Sequence, residues 1–477
     1  MFVEDVTMII RKGVLSNIAR IFFEGRLLEK IDRVPLQMYP KKSSIFTCCT
    51  YKDRAIVKYR CMAALGIGVE QEADELTSLS QHAAAALGRN EPQEPFLTVI
   101  DAACSACVRS RYEVTSICRL CSARFCLSVC PRSAIAIENK RAVINPDKCL
   151  SCGKCATTCP YHAIVRIPLP CEEACPVSAL SKDGDGKVQI DHGKCILCGK
   201  CANACPFGAI MEKSEVLDVL KRLADPGATT VAMVAPAVAG QFGDDYGRLL
   251  TALRELGFDD VIEVALGADV TAGHETREFI ERMQGGEKFM ATSCCPAWVE
   301  AVGRHYPEVR PFVSTALSPM RYTGEIAKRE RPGAFTVFIG PCMAKRREAL
   351  ADENVDFVLT FEELDALFMA KDISVPLCDP APVTRAGRPD SRGFPLFGGV
   401  TRALKNALGD AAQLKPIEIN GLSQKQLRLV KAYAMKNCPG NFIEVMSCEG
   451  GCIAGPKIVV SPSEGTKAVE KLAAQTD

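Results

Sequence analysis

SCEGGCIAGP, residues Ser447–Pro456, sets two cysteines four apart around a pair of glycines, directly after the apolar run NFIEVM. That run reads as a buried strand, rich in β-branched and aromatic side chains. Two thiols cannot complete a four-coordinate metal site, so further donors must come from elsewhere in the chain. Two other apolar runs end in the same way. KFMAT leads into Ser293-Cys294-Cys295, and FTVFIG leads into Pro341-Cys342. In an open α/β sheet, sites form where the carboxyl ends of strands meet. Cys295 and Cys342 are then the missing partners of Cys448 and Cys452, four thiolates from three loops around one iron–sulfur cubane. The glycines leave room for a bulky group to approach the backbone.

The surrounding sequence fits such a sheet. TTVAMVAP and VIEVAL read as strands, and YGRLLTALRELG and HETREFIERM as amphipathic helices. This alternation predicts a mostly parallel α/β domain over residues 211–477. Residues 1–100 read as mostly helical, through LSNIARIFFEGRLLEKI and ADELTSLSQHAAAALG. The first sixty residues hold twelve Lys/Arg against six Asp/Glu. They are read as a solvated helical face in preference to a docking face for an acidic partner. Cys48, Cys49 and Cys61 fit no cluster spacing and are read as buried structural thiols. The polar SPSEGTKAVEKLAAQTD at the end is expected to fray.

Residues 101–210 hold 16 of the 26 cysteines. Cys149, Cys152, Cys155 and Cys159 form the C-x2-C-x2-C-x3-C-P run of bacterial ferredoxins, repeated by Cys195, Cys198, Cys201 and Cys205. In such runs three thiolates hold one 4Fe–4S cubane and the fourth reaches a neighbouring cluster. Cys118, Cys121, Cys126 and Cys130 are the same motif with a longer middle loop. Paired with the 149–159 run, they predict one cluster on Cys118, Cys121, Cys126 and Cys159, and another on Cys149, Cys152, Cys155 and Cys130. Cys104-x2-Cys107 and Cys171-x3-Cys175-Pro flank that pair as an interrupted motif. They complete two more clusters, Cys195, Cys198 and Cys201 with Cys175, and Cys104, Cys107 and Cys171 with Cys205. One ferredoxin-like unit is thus inserted in another, and all 16 cysteines are used. Zinc also takes Cys-x2-Cys pairs, but it has no use for the third cysteine or the recurrent Cys-Pro. Asp183–Gly186, "DGDG", reads as a hairpin turn between ferredoxin halves.

Charge is balanced, with 58 basic and 57 acidic residues, which gives no sign of nucleic acid as a partner. No apolar run is long enough to span a membrane, and MFVEDVTMII lacks the basic start of a signal peptide, so a cytoplasmic location is expected. Cysteines this numerous in such a compartment point to metal rather than disulfides. No convincing G-x-G-x-x-G for a nicotinamide cofactor is present.

TSCCPAW (292–298), PCMAK (341–345) and EVMSCEGGC (444–452) resemble the three signature motifs of FeFe (iron-only) hydrogenases. That resemblance, over about residues 100–460, implies two parallel-sheet lobes around a buried H-cluster, a cubane joined to a diiron unit bearing CO, cyanide and an azadithiolate. It implies that Cys295, Cys342, Cys448 and Cys452 hold the cubane and that Cys452 bridges to the diiron unit. Cys294 would pass protons to that unit, and Lys345 would anchor one cyanide. Ala235-Pro236 would lie against the other cyanide, with Met446 packed beside them. A proton route through Glu275, Ser314 and Glu278 follows if a one-residue gap is allowed; an ungapped alignment places His274 and Arg277 there instead. Ala297, Gly340, Met343 and Met320 depart from the usual motifs and resemble the group B branch.

The resemblance further implies reversible interconversion of H2 with protons and electrons. Four accessory 4Fe–4S clusters would carry electrons to ferredoxin or a similar carrier in an anaerobic metabolism. Hydrogenase maturation proteins would supply the diiron unit. The alternatives are an H2-sensing relative with slow turnover, and a hydrogenase-like iron–sulfur assembly protein that lacks the diiron unit.

Overall fold

Strands buried on both faces need helices on both sides, and their sequences are apolar along their whole length. Four such strands form a parallel sheet in the order Asp260–Glu263, Thr230–Val234, Phe335–Gly340, Phe357–Thr360. Thr230–Val234 is buried at every position, as is Phe357–Thr360. A second parallel sheet of three strands runs Met290–Ala291, Phe442–Met446, Pro416–Asn420. The predicted parallel α/β region is therefore built as two sheets. Every strand expected from sequence in this region is present. Two were not expected: Phe357–Thr360, a run of only four residues, and Pro416–Asn420, an edge strand largely exposed and so without a buried-strand signature.

The computed structural model describes residues 5–41, 47–72, 75–104, 107, 112–183, 186–243 and 245–475. In the cysteine-rich region the strand pairings are nested. Leu97–Val99 pairs antiparallel with Ile210–Glu212, outside the pair Tyr112–Val114 with Ile164–Arg166. This is the pattern expected when one ferredoxin-like unit interrupts another. Leu180–Lys182 and Val188–Ile190 form the hairpin anticipated around Asp183–Gly186, of which Gly184 and Asp185 lie outside the described residues.

Three expectations need correction. The basic residues near the start are not all on a solvated face: Arg20, Arg26, Arg33 and Lys41 are exposed, but three others are buried. Arg11 and Lys12, on helix Val6–Phe23, are buried and pair with Glu362 and Asp365 on helix Phe361–Ala370. A buried cation needs such a partner, and here the partner lies some 350 positions away, beyond the reach of local pattern. Cys61 is fully buried, but Cys48 is exposed and Cys49 only partly covered. Both precede the first turn of helix Thr50–Ala64, outside its packed face. The terminal stretch does not fray either over its described residues, Thr476 and Asp477 lying outside them. Pro462–Ala473 is a helix with a Ser461/Glu464 capping box, and its Ala468 packs against Gly240.

Candidate metal centre

The carboxyl ends of four strands face one cavity of about 110 Å³. Thr230–Val234 delivers Ala235-Pro236, and Met290–Ala291 delivers Cys294 and Cys295. Phe335–Gly340 delivers Cys342, and Phe442–Met446 delivers Cys448 and Cys452. Register fixes how these ends meet. The Ala235 amide donates to Ile339 O at 2.9 Å, and Thr292 N donates to Ile443 O at 3.0 Å. Trp298, fully buried, anchors the first loop by donating Nε1–H to Thr292 O at 3.0 Å. Cys295, Cys342, Cys448, Cys452, Cys294, Lys345, Met446, Ala235 and Pro236 all line the cavity, so every residue expected to surround the cofactor is brought together.

The electrostatics suit a cationic metal group. Burial, then neighbouring sulfurs, push the Cys342 thiol up to about 11 and Cys452 to about 12. Cys448 is displaced upward for the same reasons, and Cys294 by burial and then Glu275 ahead of the neighbouring sulfurs. Four buried sulfurs repel one another as thiolates unless a cationic metal replaces their protons. Among the described residues no three or more His, Cys, Asp or Glu converge tightly enough to hold a single metal ion. The four thiols border the cavity, and four cysteines are a donor set that would suit a cubane. Besides the cysteines, the same cavity is apolar apart from Ser391, Ser447 and Lys345, whose ammonium donates to Ser318 Oγ at 2.9 Å and to Glu348 Oε2 at 2.6 Å. One buried ammonium among apolar walls suits a group that carries anionic ligands.

Gly451 borders the cavity, and a second constraint besides room for a bulky group keeps it glycine. Gly451 has φ +97°, and a Cβ there would meet Pro395 O at 2.3 Å. It is the backbone of the 395–397 loop, bridged to Gly451 through Leu396, that demands glycine. Glu444, fully buried, holds this loop by accepting from Gly398 N and Thr401 N.

Helix Ala265–Gln284 settles which residues face Cys294. Glu275 is fully buried, takes the Ser293 amide at 3.3 Å, and is the first charged neighbour to push the Cys294 thiol up. Burial raises Glu275 itself to about 8. The Ser314 hydroxyl donates to Glu278 Oε2 at 2.7 Å and also approaches Glu275. Burial opposes ionisation of Glu278, but hydrogen bonds from Ser314, Thr315 and Arg282 leave it below the usual carboxylate range. His274 and Arg277 are exposed, and His274 bonds instead to Tyr322.

The accessory cysteines gather in the sets read from spacing. Cys118, Cys121, Cys126 and Cys159 line one cavity of about 30 Å³, and Cys130, Cys149, Cys152 and Cys155 line another of about 20 Å³. Burial and then Cys195 and Cys175 raise the Cys201 thiol alongside Cys198. Cys171 is pushed up to about 11 by burial, with Cys205 and Cys107 beside it, while Cys104 feels Cys107 and Cys205. Amides bond the sulfurs in a repeated way. The residue four beyond donates to Cys130, Cys175 and Cys205 at 3.2–3.4 Å.

Several cavity residues were not read from sequence. Cys198 reaches the cavity of the three cysteine loops as well as its own set. Behind it, a Cβ on Gly199 would meet Met343 Sδ and Pro456 at 2.7 Å, so the two regions touch tightly there. Phe338 occupies the space beside Gly340, where a Cβ would meet its ring at 2.6 Å. Ser318 and Glu348, tethers of Lys345, carry no local signature beyond the i,i+3 spacing of Lys345 and Glu348.

A profile described as iron only hydrogenase large subunit, C-terminal domain, matches residues 228–456. A 4Fe–4S dicluster domain matches 117–163 and a 4Fe–4S binding domain 188–211. Iron hydrogenase 1 of Clostridium pasteurianum is 30% identical over 67% of this chain and 65% of its own length. The chain thus spans just under two thirds of that relative. The periplasmic Fe hydrogenase large subunit of Nitratidesulfovibrio vulgaris is 30% identical over 52% of this chain and 73% of its own length. Cytosolic iron-sulfur assembly component 3 of Rattus norvegicus is 24% identical over 55% and 69%. With its three cysteine loops meeting at one cavity and most of a hydrogenase large subunit matched, the chain belongs to the iron-only hydrogenase family.

Proposed function

We propose that the protein is an iron-only hydrogenase, of the group B branch, that interconverts H2 with two protons and two electrons. The carrying observation is that Cys294 and Lys345 share a buried, apolar cavity with Cys295, Cys342, Cys448 and Cys452. Those four thiolates would hold the cubane, with Cys452 bridging to the diiron unit. Once bound, the H-cluster supplies the making and breaking of the H–H bond. The protein's own residues do the rest. Lys345, tethered by Ser318 and Glu348, places one positive charge against the group and has no room to turn away. Ala235, Pro236, Met446 and Phe338 keep water out. Cys294 holds its proton firmly, being buried beside Glu275, and so serves as a donor at the cavity wall. Glu275, protonated up to about pH 8, stands behind it. Ser314 links Glu275 to Glu278, which meets the half-exposed surface near Thr315.

We assign residues 1–100 to a helical region, 101–210 to nested ferredoxin-like units with four 4Fe–4S clusters, and 211–477 to the catalytic domain. Electrons would pass through Cys198 and its cluster to a carrier such as ferredoxin. A cytoplasmic location is part of this reading. Among the described residues no helix is long and apolar enough to cross a membrane.

The similarity to an iron–sulfur assembly component favours a second reading, a cubane-bearing assembly protein. A cubane alone would leave Lys345 and Cys294 without a task. The test is to load the protein with iron, sulfide and the diiron unit, then measure H2 evolution from reduced methyl viologen. Turnover abolished by Cys294→Ala supports the hydrogenase. Near-background turnover in the unaltered protein points to a sensor, and failure to take up the diiron unit points to assembly.

A further inference from the structure

Cys48 and Cys49 belong to none of the cysteine sets described above, and they lie side by side at the surface. Cys48 is exposed, Cys49 is partly covered, and the Cys48 thiol donates to Cys49 Sγ over 3.8 Å. The other thiols outside the sets are placed differently. Cys61 and Cys378 are buried, Cys438 is half-buried, and burial pushes all three up.

Cys49 stands at the start of helix Thr50–Ala64 on extended backbone, and its carbonyl takes the Asp53 amide at 3.2 Å. Helix starts leave amide N–H groups without backbone partners. Here the Lys52 amide, then the Cys48 thiol, then the Tyr51 amide draw the Cys49 thiol below its ordinary value, against the Asp53 carboxylate. A thiolate gains from that position because the first turn carries partial positive charge. The pair thus combines access to solvent, a sulfur favoured as thiolate, and a second sulfur within reach of the first. Redox-reactive cysteines share those three features.

We propose that Cys48 and Cys49 form a thiol–disulfide exchange site for small disulfides, with Cys49 attacking and Cys48 resolving. Cys49, its proton released to solvent, attacks one sulfur of a disulfide RSSR. The Cys49–S–S–R bond forms, the RS–SR bond breaks, and RS⁻ leaves. Cys48 then gives up its proton and attacks Cys49 Sγ, so that the Cys48–Cys49 bond forms and a second RS⁻ leaves. The two protons go to the two departing thiolates. The protein loses two electrons and two protons, and RSSR becomes two RSH. Neighbouring Cα atoms are about 3.8 Å apart, short of the roughly 4.4–6.8 Å that most disulfides span, so the closed pair is strained and excess thiol reopens it. This chemistry is separate from the metal centres and from the hydrogenase reading.

The test treats the full chain, loaded with iron and sulfide so that the cluster cysteines are occupied, with 2-hydroxyethyl disulfide in the absence of oxygen. Products are read by intact mass and peptide mapping. The unaltered protein should lose two hydrogens at Cys48 and Cys49, carry no lasting adduct there, and regain them in dithiothreitol. Cys48→Ser should trap a hydroxyethylthio adduct on Cys49, whereas Cys49→Ser should react at Cys48 at least about threefold more slowly. Iron content should match the unaltered protein in both variants. An adduct that persists on Cys49 in the unaltered protein would overturn the resolving role of Cys48. Equal rates in the two serine variants would overturn the attacking role of Cys49, and reaction at Cys438 ahead of Cys49 would overturn the site altogether.

Discussion

The Ser314 hydroxyl donates to Glu278 Oε2 over 2.7 Å and also approaches the buried Glu275, so one serine joins two acids from a single helix. Ser314→Ala should lower dye-driven H2 evolution on the order of 10²-fold, with iron content unchanged. Glu278→Gln should do the same. A rate within twofold of the unaltered protein in both variants would remove the relay.

Glu275 stands at about 8 against an ordinary 4.5 because burial disfavours its charge. The stability that its protonation contributes is complete below about pH 4.5 and is lost as pH rises to about 8. Glu275→Gln should flatten this window, so that Tm changes less between acid and mildly alkaline buffers than in the unaltered protein. Turnover of the unaltered protein should decline as pH passes about 8, where the relay loses its resting proton. Equal Tm slopes in variant and parent would contradict the burial argument.

Gly451→Ala places a methyl group against Pro395 O on backbone at φ +97°. Backbone strain of about 1–3 kcal/mol adds to that clash. The expected result is a folded chain that keeps its accessory clusters but loses the cubane at Cys448 and Cys452. Four accessory EPR signals with the fifth missing would be the signature. Gly450→Ala, with Ala454 Cβ no closer than 3.6 Å, should be milder.

Lys457, 2% exposed, bridges Glu212 at 2.9 Å and Glu362 at 3.0 Å, and Glu362 also takes Arg11. This cluster ties the first helix and the end of the cysteine-rich region to the loop beyond Cys452. Lys457→Met leaves buried Glu212 without its ion-pair partner, while Glu362 keeps Arg11, and should cost about 3–5 kcal/mol. Replacing Glu212 as well, by Gln, should recover part of it, because Glu362 still has Arg11. Chemical denaturation of the three proteins measures both effects.

Arg60 is buried, donates to Phe207 O at 3.2 Å, and has an Nε without a partner among the described residues. It lies close to Cys205, within the fourth cysteine set. A buried cation favours the reduced, more negative state of a nearby cluster. Arg60→Gln should therefore lower that cluster's reduction potential, read by an EPR-monitored titration, while Arg60→Lys should largely restore it. No shift in the glutamine variant would place Arg60 in a purely structural role.

Spacing was enough to assign the accessory cysteines to sets, because a ligand run is a local property and Cys-Pro marks each fourth ligand. Apolar runs likewise announced the strands whose ends carry Cys294, Cys295, Cys342, Cys448 and Cys452. Strand Pro416–Asn420 was silent, since an edge strand facing solvent has no unbroken apolar run. Arg11 and Lys12 were misread for a related reason: charge pattern along a helix does not reveal an acid on a distant helix.

The sequence by itself determined the chemistry available, namely which sulfurs, acids and cations exist and which of them share a loop. Only the tertiary structure decided that Glu275 rather than His274 faces Cys294, that Cys198 touches the cavity of the three cysteine loops, and that Gly451 yields to the 395–397 backbone. Each of those facts depends on the rotation of one helix or the register of one loop against another. Such relations are fixed by long-range packing, where a single residue's shift changes the face presented while leaving the local pattern almost the same.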